Sequence, residues 1–128
     1  MSNASGPTAN SNRVLIVDDH SPILRALSAR CQHAGYSVST ATDTGTAIAA
    51  ALNTPPKHAI LDINMPGLDG FALGERLMEM YPELKITYVT ASQDPTLIEQ
   101  AEDVGAVGFF HKPFDSSTLL AHLEEACV

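Results

Sequence analysis

Basic residues are scarce in this chain: seven Lys and Arg stand against fifteen Asp and Glu, giving a net charge of −8 over 128 residues. Direct nucleic-acid binding normally needs a basic patch, and that balance argues against it. Cysteine is almost missing. Cys31 and Cys127 are too few for a disulfide framework, so the cytoplasm is the expected compartment. No stretch approaches the roughly 20 consecutive apolar residues that span a bilayer. The N-terminus also lacks the basic stretch and apolar core of a signal peptide. No membrane insertion is expected.

What the chain does have is rhythm. Hydrophobic residues make up 45% and the mean hydropathy is +0.03, ordinary values for a globular protein. The length suits one domain with a real core. Residues 1–12 are small, polar and aperiodic, and are expected to be a disordered extension or one of expression-vector origin. From Arg13 to Cys127, strand-like and helix-like segments alternate five times. That pattern predicts a single α/β domain: a five-stranded parallel sheet, doubly wound, with helices on both faces.

The punctuation agrees with this pattern. Ser21-Pro22 opens the first helix and Gly35 closes it, with Leu24, Leu27, Cys31 and Ala34 forming one apolar stripe. Tyr36 to Thr40 reads as the second strand, and a helix of small residues follows from about Asp43 to Leu52. A helix from about Asp69 to Tyr81 is closed by Pro82. Asp94-Pro95 caps the fourth helix, which ends at Gly105. Asp115 caps the last, whose Leu119, Leu120 and Leu123 face inward.

Polar residues stand where the apolar runs stop. Asp18 and Asp19 follow Val14–Val17, Asp62 follows Ala59–Leu61, Thr90 closes Ile86–Val89, and Lys112 comes just after Val107–Phe110. Ligands of open α/β sheets bind outside the carboxyl ends of the strands, so these groups should share one rim. Two unit charges about 4 Å apart cost on the order of 4 kcal/mol at an effective dielectric near 20. Three acids in one pocket therefore call for a cation. Carboxylate oxygens suit Mg²⁺, and an Asp carboxylate beside it can attack a phosphoryl donor in line. Lys112 is the single Lys or Arg between Ile86 and Val128, among seven acids, which favours a task for it over an ordinary surface lysine.

Plainer uses exist for each residue. Asp18 or Asp19 could cap the first helix, although one cap does not occupy two adjacent acids. Asp62 could serve a turn, but Met65-Pro66-Gly67 and Asp69-Gly70 supply that chemistry better, with both glycines as backbone punctuation. Thr90 is an ordinary strand former, and Phe109 by pattern alone is core. His20 follows the acid pair without a second His or Cys at ligand spacing and reads as a solvated loop residue. His111 should point away from Lys112. Cys31 reads as a small core hydrophobe, and Cys127 carries no assignment.

The segments V-D-D-H at 17–20, D-I-N-M-P-G-L-D-G at 62–70, V-T-A-S at 89–92 and F-F-H-K-P-F at 109–114 come in order, each at a predicted strand end. Together they resemble the receiver domain of two-component response regulators, the CheY-like superfamily, over residues 13–127. The resemblance implies a flavodoxin-like strand order 2-1-3-4-5 and Asp62 as phosphoacceptor. It implies Mg²⁺ held by Asp18, Asp19, Asp62 and the backbone carbonyl of Asn64, with Asp18 acting largely through metal-bound water. Lys112 would pair with phosphoryl oxygens, Thr90 would donate its hydroxyl to them, and small Ala91 would leave room. Phe109 matches the switch aromatic, and Pro113 the proline of a usually cis Lys-Pro bond. Residues at the positions of Asn64 and Ser92 influence phosphoryl lifetime in the family.

The implied partners are a sensor histidine kinase or histidine phosphotransfer protein upstream and an output domain or protein downstream. A dimer formed on phosphorylation belongs to the same expectation. The acidic face from about Asp94 to Glu125 is the expected output surface, for a partner with basic residues whose association slows with salt. A phosphatase with an Asp nucleophile wants two acids one residue apart, and here they are adjacent. A receiver reduced to a binding module is disfavoured by the complete residue set. A nucleotide- or flavin-binding domain is disfavoured by an acidic first turn, Asp18 to Pro22, without glycine. Ending after the fifth helix, the sequence fits a stand-alone receiver or a piece of a longer regulator or hybrid kinase.

Overall fold

A computed structural model describes residues 12–18, 21–65 and 68–126, with the backbone alone described for Ser21, Ile23, Leu24, Leu68 and Ala126. Strands β1 (Arg13–Val17), β2 (Ser37–Ala41), β3 (His58–Asp62), β6 (Lys85–Thr90) and β7 (Gly108–His111) form one sheet in the order β2-β1-β3-β6-β7, every pairing parallel. Counting only the strands of this sheet, the order is the expected 2-1-3-4-5. Helices α1 (Ser21–His33), α2 (Thr44–Asn53), α3 (Gly70–Met80), α4 (Thr96–Asp103) and α5 (Ser116–Ala126) make the crossovers.

Side chains alternate across a strand, so one run of apolar residues feeds two cores. Val14, Ile16, Ile60 and Val89 pack with Leu27 and Cys31 of α1 and Leu119 and Leu123 of α5. Leu15, Val17, Ala59, Leu61, Ile86 and Tyr88 pack on the other face with Ala47 and Ala51 of α2, Leu73 and Leu77 of α3 and Ala101 of α4. Leu120 packs partly buried against the first of these cores. Burial pushes the Cys31 thiol up to about 11, the behaviour of an inert core residue.

Aspartates open four helices: Asp94 and Asp115 where caps are expected, with Pro95 itself at the cap position of α4, and Asp43 and Asp69 where the sequence offers a helix start and a turn residue. Asp43 accepts from the Thr46 N–H at 2.8 Å and Asp69 from the Phe71 N–H at 2.9 Å. Asp94 accepts from the Thr96 N–H at 3.0 Å, and Asp115 from the Ser117 N–H at 2.9 Å. At the end of α1, Gly35 has φ 102°, the Tyr36 N–H reaches the Cys31 carbonyl, and the Gly35 N–H reaches that of Gln32. These two bonds are a Schellman closure. They correct two expectations. Tyr36 spends its N–H on the helix, so β2 starts at Ser37; Ala34 lies past the last turn and is exposed, outside the apolar stripe. A further pair of two-residue strands, β4 (Asn64–Met65) and β5 (Leu68–Asp69), forms an antiparallel hairpin between β3 and α3. The sequence shows it only as turn chemistry.

Candidate functional site

All five strands of the main sheet run the same way, so their carboxyl ends share one rim. Asp18 follows β1 directly, and its N–H still bonds the Ala41 carbonyl at 3.1 Å, which fixes it beside the end of β2. Asp62 ends β3 and Thr90 ends β6; all three side chains are buried. The Lys112 N–H bonds the Thr90 carbonyl at 2.7 Å, which aims the residue after β7 back across the rim. Its Nζ lies 2.8 Å from Asp18 Oδ2 and 2.8 Å from Asp62 Oδ2. One ammonium thus bridges two buried carboxylates from different strands. The Lys112–Pro113 peptide bond is cis.

The second Asp62 oxygen, Oδ1, accepts from the Asn64 N–H at 3.1 Å. Thr90 Oγ1 accepts from the Ser92 N–H at 3.0 Å and, at the long limit of 3.5 Å, from Asn64 Nδ2. Asn64 therefore touches both the Asp62 carboxylate and the Thr90 hydroxyl. Phe109 is half-buried against the core that covers α2, α3 and α4, with its ring edge-on to His111, 5.2 Å between centroids. His111 is exposed, and so is Pro113. Asp19, His20, Pro66, Gly67 and Cys127 lie outside the described residues.

Burial raises the Asp62 pKa above the usual carboxylate value. The hydrogen bond and charge of Lys112 oppose the shift, and the charge of Asp18 adds to it. For Lys112, burial works against the ammonium but is outweighed by its hydrogen bonds to Asp18 and Asp62, so its pKa rises. The two shifts favour the proton on both partners. The 2.8 Å contacts describe the charged bridge; its cost falls on Asp62, which shares one cation with a second acid.

A raised folded-state pKa means that ionised Asp62 costs stability at neutral pH and that this cost fades as pH falls through the folded value. Asp62→Asn is thus expected to stabilise the fold at pH 7 by about 0.5–2 kcal/mol. Denaturant unfolding checks it; a variant less stable than the wild type would contradict this account of the pocket.

Among the described residues, no group of three His, Cys, Asp or Glu side chains could hold a metal ion by itself. The donor chemistry nevertheless suits a hard cation. Asp18 and Asp62 offer oxygen ligands with one ammonium between two negative charges, and Mg²⁺ needs few protein carboxylates. Sequence reasoning treats Gly70 as punctuation. The structure gives it a spatial role: its N–H bonds the Ile63 carbonyl at 2.9 Å, and a Cβ there would overlap the Asp62 carbonyl oxygen. Nothing short of the docked α3 could have revealed that.

Residues 14–124 match the family described as Response regulator receiver domain. The chain is 34% identical over 115 residues to the Mycobacterium leprae transcriptional regulatory protein PrrA, covering 90% of this chain and 49% of that protein. It is 35% identical over 115 residues to the Caulobacter vibrioides response regulator PleD, covering 88% and 25%. This chain therefore spans about half of one relative and a quarter of the other. Among solved structures, the CheY-like response regulator receiver domain protein of Methanospirillum hungatei superposes with a TM-score of 0.85 at 28% identity, covering 91% of this chain and 93% of that one. Vibrio cholerae chemotaxis protein CheY4 gives 0.82 at 34% identity, covering 89% and 97%.

Proposed function

We propose, since the chain belongs to the response regulator receiver family, that Asp62 accepts a phosphoryl group from a phosphohistidine partner. The family is a phosphoacceptor and signalling domain rather than a turnover enzyme. The observation that carries the reading is the Lys112 bridge: one ammonium 2.8 Å from Asp62 and 2.8 Å from Asp18 at the sheet's carboxyl rim. A carboxylate oxygen of Asp62 attacks the phosphorus in line. The P–N bond to the donor imidazole breaks, and its electron pair returns to the nitrogen. Lys112 keeps its proton and takes an equatorial oxygen as hydrogen-bond acceptor in place of Asp62 Oδ2.

Mg²⁺ held by Asp18, Asp19, Asp62 and the Asn64 carbonyl would supply further positive charge for the phosphoryl oxygens. The Asn64 N–H would hold the acceptor carboxylate in one rotamer throughout. Thr90 would exchange its contacts with Ser92 and Asn64 for a phosphoryl oxygen, and Phe109 would turn inward behind it with the Pro113 loop. The result shifts an existing two-state equilibrium, limited by how differently the phosphoryl group interacts with the two states.

Asp94, Glu99, Glu102, Asp103, Asp115, Glu124 and Glu125 are all exposed, which supports an output surface for a basic partner on the last two βα units. A histidine kinase or phosphotransfer protein would act upstream and an output domain or protein downstream, with dimerisation on phosphorylation within reach of the same surface. No helix among the described residues is long and apolar enough to cross a membrane, and a cytoplasmic setting matches the proposed donors.

Intact mass after incubation with Mg²⁺ and acetyl phosphate tests the reading. One added phosphoryl group, lost in EDTA and in Asp62→Ala, is the expected result. No adduct together with no beryllofluoride binding would leave a phosphorylation-independent binding module.

A further inference from the structure

Away from the acidic rim, near the amino ends of β3 and β6, three polar side chains from three elements meet in the core beneath α5. His58 of β3 is fully buried, and its Nε2 lies 2.7 Å from Thr87 Oγ1 of β6. The same oxygen lies 2.9 Å from Nε2 of His122, a half-buried residue of α5. The His122 ring packs against Phe110 of β7, centroids 5.4 Å apart, and over Gly108, where a Cβ would overlap its Nε2. None of these groups touches Asp18, Asp62, Thr90 or Lys112 in the described contacts.

We propose that His58, Thr87 and His122 form a proton-operated clasp that holds α5 on the sheet. With His122 neutral the clasp is closed, and a proton taken up at its Nε2 opens it.

Counting hydrogens fixes the direction of the relay. Thr87 has one hydroxyl proton and, in the described contacts, only the two imidazoles as partners for Oγ1; accepting from both would orphan that proton in the core, so it donates to one ring and accepts from the other. His58 Nδ1 is buried with no hydrogen-bond partner among the described residues. A proton there would be an orphaned buried donor, so the assignment that leaves Nδ1 bare is favoured. His58 Nε2–H then donates to Thr87 Oγ1, and the Thr87 hydroxyl donates to His122 Nε2. Protonation from water adds an N–H to His122 Nε2, aimed at the hydroxyl hydrogen. Keeping both contacts would require either the His58 proton on the orphaned Nδ1 or a Thr87 oxygen that accepts from both rings with its own proton unpaired in the core. The half-buried ring can instead swing toward water and release the helix.

The charged or titratable groups bearing on the pair are Lys85 at the start of β6, Glu125 on α5 and the two imidazoles themselves. From β7 the facing group is uncharged Phe110. On α1 the Arg30 guanidinium meets Ser117, near the other end of α5. Burial disfavours the His122 imidazolium and Glu125 favours it, with burial the larger. The clasp is independent of the phosphoacceptor reading.

The test compares amide-exchange protection factors of α5 at pH 7.5 and about 5 in the full chain, with α3 reporting any global change. The wild type is expected to lose α5 protection by up to about tenfold for each pKa unit by which docking lowers His122, beyond any loss in α3. His122→Phe keeps a ring beside Phe110 and cannot take the proton, so its α5 should show no excess pH response. Imidazole nitrogen spectra should place the His58 proton on Nε2 at neutral pH. An α5 response no larger than that of α3, an excess response retained in His122→Phe, or a His58 proton on Nδ1 would overturn the clasp.

Discussion

Gly70→Ala should destabilise the fold by about 2–3 kcal/mol, the upper part of the range for overpacking in a close-packed interior. Gly70 is the first residue of α3, and its N–H bonds the Ile63 carbonyl. An added Cβ would overlap the Asp62 carbonyl oxygen and lie 2.6 Å from the Ile63 Cα. Both are backbone atoms, so no rotamer change relieves the contact; α3 or the end of β3 must move. Movement of β3 would carry Asp62 away from Lys112 Nζ. Phosphorylation should then slow by on the order of a hundredfold even where the variant is folded, as misplacements near 1 Å do elsewhere. Gly45→Ala is the control. Its Cβ would meet only Asp43 Oδ1, at 3.5 Å, and Ala is the better helix former by about 0.8–1.0 kcal/mol. Unfolding curves and phosphorylation rates for Gly70→Ala equal to those of the wild type would refute this placement of α3.

Acid should remove stability mainly through His58. Burial, the larger cause, and the nearby charges of His122 and Lys85 push its pKa down from 6.5 to about 3. The folded chain keeps this imidazole neutral while the unfolded chain protonates it. The unfolded state therefore binds more protons across that window, and stability rises with pH there. Stability is complete above about 6.5 and falls by about 1.4 kcal/mol for each pH unit below it, until the folded value is reached. Between pH 7 and 4.5 the loss comes to about 2–3 kcal/mol from this one residue. His58→Leu should flatten the profile by that amount. The lowered carboxylates of Asp43 and Asp94 act equally in both proteins and cancel in the comparison. An identical acid loss in both would contradict the neutral, buried state of His58.

The positions of Asp18, Asp62, Thr90 and Lys112 were legible in the sequence because each depends on one local fact, the end of an apolar run. Parallel strands do the rest, since their ends converge whatever the helices contribute. The alternation of strands and helices was legible for the same reason, whereas the strand order 2-1-3-4-5 came through the resemblance to the receiver family. What could not be read depends on how separate elements dock. Asn64 touches Asp62 locally and reaches Thr90 because the Ile63 N–H bonds the Val89 carbonyl, which holds the chain leaving β3 beside the end of β6. Gly70 matters because α3 begins against the Asp62 backbone. The His58–Thr87–His122 relay needs β3, β6 and α5 in register, and a lone His opening an apolar strand announces nothing. Boundary shifts have local causes that propensity does not reveal, as when Tyr36 gives its N–H to the end of α1 instead of to β2.

The central claim is that Asp62, among fifteen acidic residues, carries the phosphoryl group. The most direct measurement is borohydride reduction of the acetyl-phosphate-treated chain followed by peptide sequencing in the mass spectrometer. An aspartyl phosphate is reduced to homoserine, so the peptide containing residues 58–65 should carry homoserine at position 62 and nowhere else. Homoserine at Asp18, or phosphate on a hydroxyl residue with Asp62 intact, would contradict the account.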